Sequence, residues 1–314
     1  MSIPVWRLVL GGIRSLVVTP PVGTGGTVSA RYCYSVFLRH RIIAARYGLI
    51  KAPSRVVELG PGDSLGIGLM ALLTGSDYYV AIDAVRHASP HTNLAVFDEL
   101  VCLLKSRTPI PFDGECAEIR PELDNYKFPD GIFDETLLER ALAPDRLQEI
   151  RKSLAENSPS DAIQYLAPLG EMNGIPPESV AWVFSQAVME HVDEPQETYH
   201  QCHRCLKPGG IMTHQIDFRS HETAPEWNGH WKYPQWLWRI MRGKRPWFVN
   251  RLTHSDHRYM QAKAGFQILS DERQILTEGI TKKQLARKFQ LMTDMDLSTA
   301  GALFVSAKEI LQHE

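Results

Sequence analysis

Cysteine is scarce in this sequence and gives no basis for a disulfide framework. The chain has 314 residues and five cysteines, at positions 33, 102, 116, 202 and 205. An odd number of cysteines in a long chain is not the pattern of a small secreted domain held together by disulfides. The sequence therefore predicts a protein of a reducing compartment, the cytoplasm.

An excess of charge of one sign is also lacking. The formal net charge is -2 and the isoelectric point is near 6.6. Such a balance gives no overall attraction to nucleic acid or to an anionic membrane, so no nucleic-acid partner is expected. Hydrophobic residues make up 44% and charged residues 22% of the chain, which is typical of a globular protein with a sizeable core.

Long hydrophobic runs are absent as well. The most apolar stretch, residues 3–18, contains Arg7, Arg14 and a Gly11-Gly12 pair. It is too short and too charged to span a bilayer, and it lacks the positive leading region of a signal peptide. We expect a helix packed on the core; the alternative is a helix lying at a membrane surface, with peripheral membrane contact.

The chain does contain one glycine-rich stretch that organises its first half. The mostly apolar residues 56–59 predict a buried strand, and Gly60-Pro61-Gly62 predicts a tight turn into an apolar helix at residues 67–73. Without β-carbons, Gly60 and Gly62 allow the backbone to approach a ligand at exposed amides of the helix start.

An acidic residue ends the next predicted strand. Residues 78–82 are apolar, and Asp83 follows them, where its carboxylate can accept hydrogen bonds from both hydroxyls of a ribose. A strand, a glycine turn, a helix, a second strand and an acid form the nucleoside-binding half of a doubly wound sheet.

Three segments together resemble class I S-adenosylmethionine (SAM)-dependent methyltransferases. Glu58, Gly60 and Gly62 match the family's E/D-x-G-x-G turn, and residues 187–192 (Ala-Val-Met-Glu-His-Val) resemble its "vlEHv" segment. Residues 204–210 (Arg-Cys-Leu-Lys-Pro-Gly-Gly) resemble its "R-x-L-K-P-G-G" turn before strand five. The motifs come in the family's order, which makes the match more specific than a single glycine pattern.

The resemblance implies an α/β fold with a Rossmann-like doubly wound sheet of seven strands. Its strand order would be 3-2-1-4-5-7-6, with strand seven antiparallel. We expect an N-terminal cap segment at residues 1–53 and the methyltransferase domain at residues 54–314. The sequence pattern places further strands at 162–166, 180–185, 211–216, 267–269 and 302–308, and helices at 31–47, 93–104, 134–142, 145–156, 235–242 and 255–264, with a helical excursion at 272–298.

The resemblance also implies which residues hold SAM or its product S-adenosylhomocysteine (SAH). Gly60 and Gly62 would approach the amino-acid portion, and Asp83 would bind the ribose. The family often has a polar residue after strand three; here the position is Ala167, so a backbone contact is expected. The predicted cofactor-binding set is Glu58, Gly60, Pro61, Gly62, Ser64, Asp83, Ala84, Ala167, Ser185 and Gln186.

Methyl transfer from a sulfonium is an in-line displacement, so the protein must align the acceptor and remove its proton. A general base is expected at the ends of strands four and five. The candidates are His191, His214, Asp217 and His230, with His221 behind them on the following loop. Histidine suits the role because its unperturbed pKa is about 6.5. Structural packing is the alternative for His191 and for His214.

Two insertions exceed the minimal fold. Residues 86–160 occupy a place where one helix is enough, and they predict a helical lid that helps to form the acceptor pocket. Residues 218–258 hold five of the seven tryptophans. Trp227 and Trp231 are predicted to line a pocket for a sugar-type acceptor, and anchoring of this loop to the core is the alternative.

Two other types of site are not expected. Cys202 and Cys205 have C-x-x-C spacing, but a zinc site of this kind needs a second ligand pair, so no metal is expected. A nicotinamide enzyme would need glycine at position 65, which is Leu65. The leading hypothesis is a SAM-dependent methyltransferase for a small-molecule or carbohydrate-type acceptor, at oxygen. The alternatives are a lipid or membrane-borne acceptor and an inactive binding protein with the same fold.

Overall fold

One sheet organises the computed structural model, which describes residues 2–18, 26–156, 160–245 and 248–309. Its seven strands in these ranges are β1 (Arg55–Leu59), β2 (Tyr78–Ile82), β3 (Ile163–Leu166), β4 (Val180–Gln186), β5 (Leu206–Asp217), β6 (Phe266–Ile275) and β7 (Thr299–Lys308). The strand order is β3-β2-β1-β4-β5-β7-β6, and β7 is antiparallel to both of its neighbours. The predicted fold class and strand order are confirmed.

Helices cover both faces of the sheet. Within the described ranges they are α1 (Val5–Ser15), α2 (Ala30–Arg46), α3 (Gly66–Leu73), α4 (Pro90–Lys105), α5 (Glu135–Ala141), α6 (Pro144–Glu156), α7 (Pro195–Cys205), α8 (Gln235–Arg242), α9 (His254–Lys263) and α10 (Asp294–Ser298). The predicted helices in the first insertion are confirmed within a few residues. Gly243 follows the last residue of α8, as the sequence predicted.

Three element boundaries differ from the sequence predictions. β5 begins at Leu206, so the Lys207–Gly210 turn lies inside the strand, where a bulge opposite β4 accommodates it. β6 continues to Ile275 because β7 pairs with it along this length. The excursion predicted as helical from residue 272 therefore begins as a strand, and it contains only short 3-10 turns before α10.

Alternating side chains along the central strands supply two separate cores. Val56, Tyr79 and Trp182 face one side of the sheet and pack with α2, α3 and α4. Val57 and Val80 face the other side and pack with α7 and α9. This alternation is the period of two that a strand imposes, and it explains why the strands between two helical layers are apolar throughout.

The first insertion is anchored on α2 through a buried arginine. Arg39 Nη1 donates hydrogen bonds to the carbonyl oxygens of Ile119 (2.9 Å) and Pro121 (2.7 Å), and its Nη2 donates to Pro111. Apolar side chains of the insertion, including Phe133, complete the core on this face. Most of the insertion thus packs as part of the domain core, and its predicted role as a lid remains a prediction.

A third, smaller core lies under α1 and α8. Leu8 packs with Trp238 and Met241, and a β-carbon at Gly12 would lie 1.9 Å from the carbonyl oxygen of Ile240. The two helices therefore touch closely at this glycine. Among the described residues, none of the helices combines the length and apolar character that crossing a membrane requires.

Candidate active site

The glycine turn at the end of β1 has the backbone conformation that the sequence predicted. Gly60 and Gly62 have φ angles of +67° and +76°. A β-carbon at Gly60 would lie 2.5 Å from Cγ2 of Val188, in the loop after β4. Glycine is needed at position 60 because the backbone angle and a close neighbour both disfavour a side chain.

Asp83 lies at the end of β2 and faces this turn. Its Oδ2 accepts a hydrogen bond from the Gly62 amide (3.3 Å), and its Oδ1 accepts one from the Ala84 amide (2.7 Å). Burial raises the pKa of Asp83, and these amides offset part of the rise. Each oxygen keeps a second lone pair, so the carboxylate fits two ribose hydroxyls.

The start of α3 differs from the expectation of exposed amides. The Ser64 amide donates to Thr27 Oγ1 (3.1 Å), the Leu65 amide to Asn93 Oδ1 (2.9 Å) and the Gly66 amide to Ser64 Oγ (3.1 Å). These three groups already have partners, so this part of the prediction is wrong. Thr27 covers the turn instead; residues 19–25, which precede it, lie outside the described residues.

Glu58 is buried beneath the turn. It accepts a hydrogen bond from the Tyr79 hydroxyl, and burial raises its pKa from 4.5 to about 8. Of the other predicted cofactor residues near the turn, Pro61 is buried and Ala84 is exposed. Glu58 therefore links the end of β1 to β2 through Tyr79, while the Asp83 carboxylate lies beside the turn.

Helix α2 orients the residue that ends β4. His40 Nε2 lies 2.9 Å from Gln186 Oε1, and His40 Nδ1 lies 2.9 Å from Thr213 Oγ1. Ser185, one position earlier, is fully buried, and its hydroxyl lies 2.7 Å from His214 Nδ1. Ala167 follows β3 and is half-buried. Gln186 is therefore held by a residue from the N-terminal cap segment.

Two of the predicted catalytic histidines are enclosed in the core. His214 lies inside β5 at 0% exposure, and burial lowers its pKa to about 3. His230 is 1% exposed and packs against Trp231, and burial lowers its pKa well below 6.5. Neither ring faces an open surface, and both are weak bases at neutral pH.

The other two predicted catalytic residues, His191 in the loop after β4 and Asp217 at the end of β5, both lie next to His221. Asp217 accepts hydrogen bonds from Arg219 Nε (3.0 Å) and Nη2 (2.7 Å), and its Oδ2 lies 3.6 Å from His221 Nε2. Burial alone would raise the pKa of Asp217, but the bonds from Arg219 and the nearby His221 outweigh burial and lower it. The His191 and His221 rings are in edge contact, with centroids 5.1 Å apart.

Glu190 completes this group, which we call the strand-end cluster: Glu190, His191, Asp217, Arg219 and His221. Glu190 is 3% exposed, and burial, with the charge of Asp217, raises its pKa well above the usual range. The sequence prediction named Glu190 only as part of a motif and left Arg219 out. Two sequence features could have identified these residues: the Glu-His motif for Glu190, and the short spacing after Asp217 for Arg219 and His221.

The predicted acceptor tryptophans are placed in packing positions. Trp231 is 0% exposed and donates a hydrogen bond to the Arg251 carbonyl oxygen (3.2 Å). Trp227 is half-buried, packs edge-on against Trp231 and donates to the Glu278 carbonyl oxygen. This placement favours the alternative that the tryptophans anchor their loop to the core; the acceptor-binding role stays a prediction.

Comparison with known proteins agrees with the family resemblance. A model of the methyltransferase domain matches residues 131–213, which include the Glu190-His191 segment and the turn at the start of β5. No curated protein matches the chain. The observed strand order is the one that the resemblance to class I SAM-dependent methyltransferases implied, and the matched segment agrees with that resemblance.

Several solved structures are similar at low identity. One is a putative methyltransferase in complex with the Trm112 activator of Haloferax volcanii (14% identity, TM-score 0.41, covering 91% of this chain and 96% of that chain). Another is a putative sarcosine dimethylglycine methyltransferase from Galdieria sulphuraria (10% identity, TM-score 0.44, covering 87% of this chain and 85% of that chain). A third is a SAM-dependent methyltransferase from Mesorhizobium loti (13% identity, TM-score 0.41, covering 85% of this chain and 97% of that chain).

Proposed function

We propose that this protein transfers a methyl group from SAM to a hydroxyl oxygen of a small-molecule or carbohydrate-type acceptor. The observation that carries the proposal is the arrangement along one edge of the sheet. Asp83 ends β2, the glycine turn ends β1, and the strand-end cluster follows β4 and β5. Ligands of open α/β sheets bind at this carboxyl edge, where the strand order reverses.

The residues of the turn fit the adenosyl group that the fold family implies. Asp83 would hold the ribose through its two remaining lone pairs, and Gly62 would pass close to the ligand because it has no side chain. Gln186 ends the neighbouring strand β4 and keeps its side-chain Nε2 as a donor, because its Oε1 is held by His40. When bound, SAM supplies an electrophilic methyl group that an acceptor can displace in line.

His191 is the residue that we assign to the acceptor proton. It is partly exposed, whereas His214 and His230 are enclosed, and Asp217 is committed to Arg219. Since a positioned histidine contributes typically 10²- to 10⁴-fold in rate, it is the candidate that geometry favours among the four. Asp217 would act by holding Arg219 and His221 in place.

The acceptor is best sought with a screen that reads out both the ligand and the reaction. Mass spectrometry of the purified protein should show bound SAM or SAH. Incubation with methyl-labelled SAM and a panel of hydroxyl-bearing acceptors, including sugars, should give a labelled product. Bound SAH without label on any acceptor would favour the inactive binding protein; absence of both SAM and SAH binding would overturn the proposal.

A second candidate function, methylation of a lipid or membrane-borne acceptor, is favoured by one surface. Helices α1 and α8 lie side by side and leave Trp6 (59%), Leu10 (57%) and Trp236 (64%) exposed. Arg7 and Arg239 on the same helices add positive charge. Exposed aromatic and basic residues on neighbouring helices are typical of contact with an anionic membrane interface.

Liposome co-sedimentation tests this second candidate. Vesicles with anionic lipids should retain the protein, and the double variant Trp6→Ala with Trp236→Ala should bind them less. Leu291→Ala is the matched control, because Leu291 is 97% exposed and does not belong to α1 or α8. Failure of the wild type to sediment, or equal loss in the control, would rule this candidate out.

A further inference from the structure

Three side chains of the strand-end cluster converge on one point. Glu190, His191 and His221 each offer one ligand atom, and these three atoms all lie within 4.8 Å of one another. They come from two different loops, the one after β4 and the one after β5. A tetrahedral zinc site needs ligand atoms about 3.4 Å apart, given its metal-ligand distances near 2.1 Å. The three ligand atoms therefore need to move only slightly closer together, and the His221 side chain is exposed enough to rotate towards the other two.

The carboxylate of Glu190 points to a missing ligand. Glu190 is 3% exposed, and neither of its carboxylate oxygens makes a hydrogen bond of normal geometry with the described residues. A buried carboxylate without partners is costly, and native structures rarely keep one without a ligand, a water or an ion. The Glu190 main chain is held firmly, since the Asn250 amide donates to its carbonyl oxygen (2.7 Å).

The charges around these three residues also favour a cation. The charge of Arg219 is matched by Asp217, which accepts hydrogen bonds from its Nε and Nη2. In the metal-bound form Glu190 would be ionised, and with neutral histidines it would give the cluster one net negative charge to balance the cation. Histidines that bind metals commonly donate their other ring N–H to a carboxylate, and Asp217 Oδ2 lies 3.6 Å from His221 Nε2.

We propose that Glu190, His191 and His221 bind a divalent transition-metal ion of the zinc class and leave a coordination position open. Two imidazoles and one carboxylate suit such an ion better than magnesium, which prefers oxygen ligands. This proposal departs from the sequence prediction, which expected no metal. That prediction examined C-x-x-C spacing, whereas these ligands come together only through the fold.

The role of the ion in the reaction rests on the proposed function. An acceptor hydroxyl at the open position would lose its proton to water more readily, because a bound cation lowers the pKa of a coordinated oxygen. The oxygen lone pair would then form the new O–C bond, and the electron pair of the broken C–S bond would return to sulfur. His191 would then act as a ligand of the ion, and the cation would take over the role in releasing the acceptor proton that the proposed function assigns to the imidazole; the loss of His191 lowers kcat in either role.

Metal binding itself can be measured without turnover. The protein is stripped with a chelator, and Zn²⁺ is titrated in competition with a chromophoric chelator, with Co²⁺ absorption as a second readout. We expect one equivalent to bind, and Glu190→Gln and His221→Ala to weaken binding at least tenfold. His91→Ala is the control, because His91 is an exposed histidine on α4, outside the cluster.

The outcomes separate this proposal from the proposed function. His221→Ala removes an exposed side chain, so the folded variant keeps the test decisive even when Glu190→Gln fails to fold. No stoichiometric Zn²⁺ binding, or equal affinity in His221→Ala and His91→Ala, overturns the metal site. SAH is titrated into the same preparations: SAH binding without Zn²⁺ overturns only the metal site, and Zn²⁺ binding without SAH overturns only the proposed function.

Discussion

The cofactor side and the acceptor side of this site are assembled in different ways. On the cofactor side, Glu58, Gly60, Gly62 and Asp83 lie close together in sequence, and two neighbouring strands bring them into contact. On the acceptor side, Glu190 lies in the loop after β4 and Asp217 ends β5, and Asn250 from a third segment holds the turn that contains Glu190. A local motif is therefore enough to specify the first side, whereas the second depends on tertiary packing.

The largest expected effect is on kcat, and it distinguishes the partly exposed His191 from the buried His230. His191→Ala should lower kcat by about 10²- to 10⁴-fold, since it removes the group assigned to the acceptor proton. His230→Ala should leave kcat nearly unchanged and lower stability, because His230 is packed in the core. Steady-state kinetics and urea unfolding of both variants check this. Equal kcat in His191→Ala and wild type would contradict the assignment.

The next effect concerns the tryptophan-rich segment. Trp231→Ala should lower the free energy of unfolding by about 3–5 kcal/mol, because it empties a fully buried site. Trp236→Ala, at a position 64% exposed, should change it by no more than about 0.5 kcal/mol. Urea unfolding measures both. A stable Trp231→Ala variant with a raised KM would instead place Trp231 at the acceptor.

On the cofactor side, two glycines with positive φ form a matched pair. Gly60→Ala and Gly48→Ala should each cost about 1–3 kcal/mol in backbone strain. Only at Gly60 does a β-carbon meet a neighbour, Val188; at Gly48 nothing lies within 4 Å. Calorimetry should therefore show SAH affinity lost in Gly60→Ala and retained in Gly48→Ala. Equal affinity in the two variants would show that the turn does not shape the cofactor site.

A smaller effect per pH unit is expected on the free energy of unfolding, through the protonation of Glu58. Its pKa is raised from 4.5 to about 8, so the folded protein keeps a proton that the unfolded chain has lost. The stability that this group contributes is full below pH 4.5 and is lost as pH rises towards 8, by at most about 1.4 kcal/mol per pH unit. Glu58→Gln should gain stability relative to wild type over that range in urea unfolding. If the difference in stability between Glu58→Gln and wild type did not change with pH, it would contradict a buried Glu58 carboxyl with a raised pKa.

The strand pattern made the sheet largely predictable from the sequence. Apolar runs such as those of β2 and β4 are short-range signals, and the positive φ of Gly60 and Gly62 follows from a local turn. The beginning of β5 was not predictable from such signals, because residues of the turn join the strand only through the bulge opposite β4.

The partners of the site residues were harder to predict. The amides at the start of α3 bind Thr27 and Asn93, which lie 28 to 37 residues away in the chain. The meeting of Glu190 with His221 and the burial of Trp231 likewise depend on how loops pack. Residue type indicated what these side chains can do, and only the fold decides which of them reach the site.

The most direct measurement of the central claim is calorimetric titration of SAH into the wild type, Asp83→Ala and Asp77→Ala. The wild type should bind one SAH per chain at micromolar affinity. Asp83→Ala should bind at least tenfold more weakly, because each lost charge-assisted hydrogen bond to the ribose is worth about 1.5–3 kcal/mol. Asp77, exposed before β2, serves as the control and should bind like the wild type. No SAH binding by the wild type, or unchanged affinity in Asp83→Ala, would contradict a SAM site at this edge of the sheet.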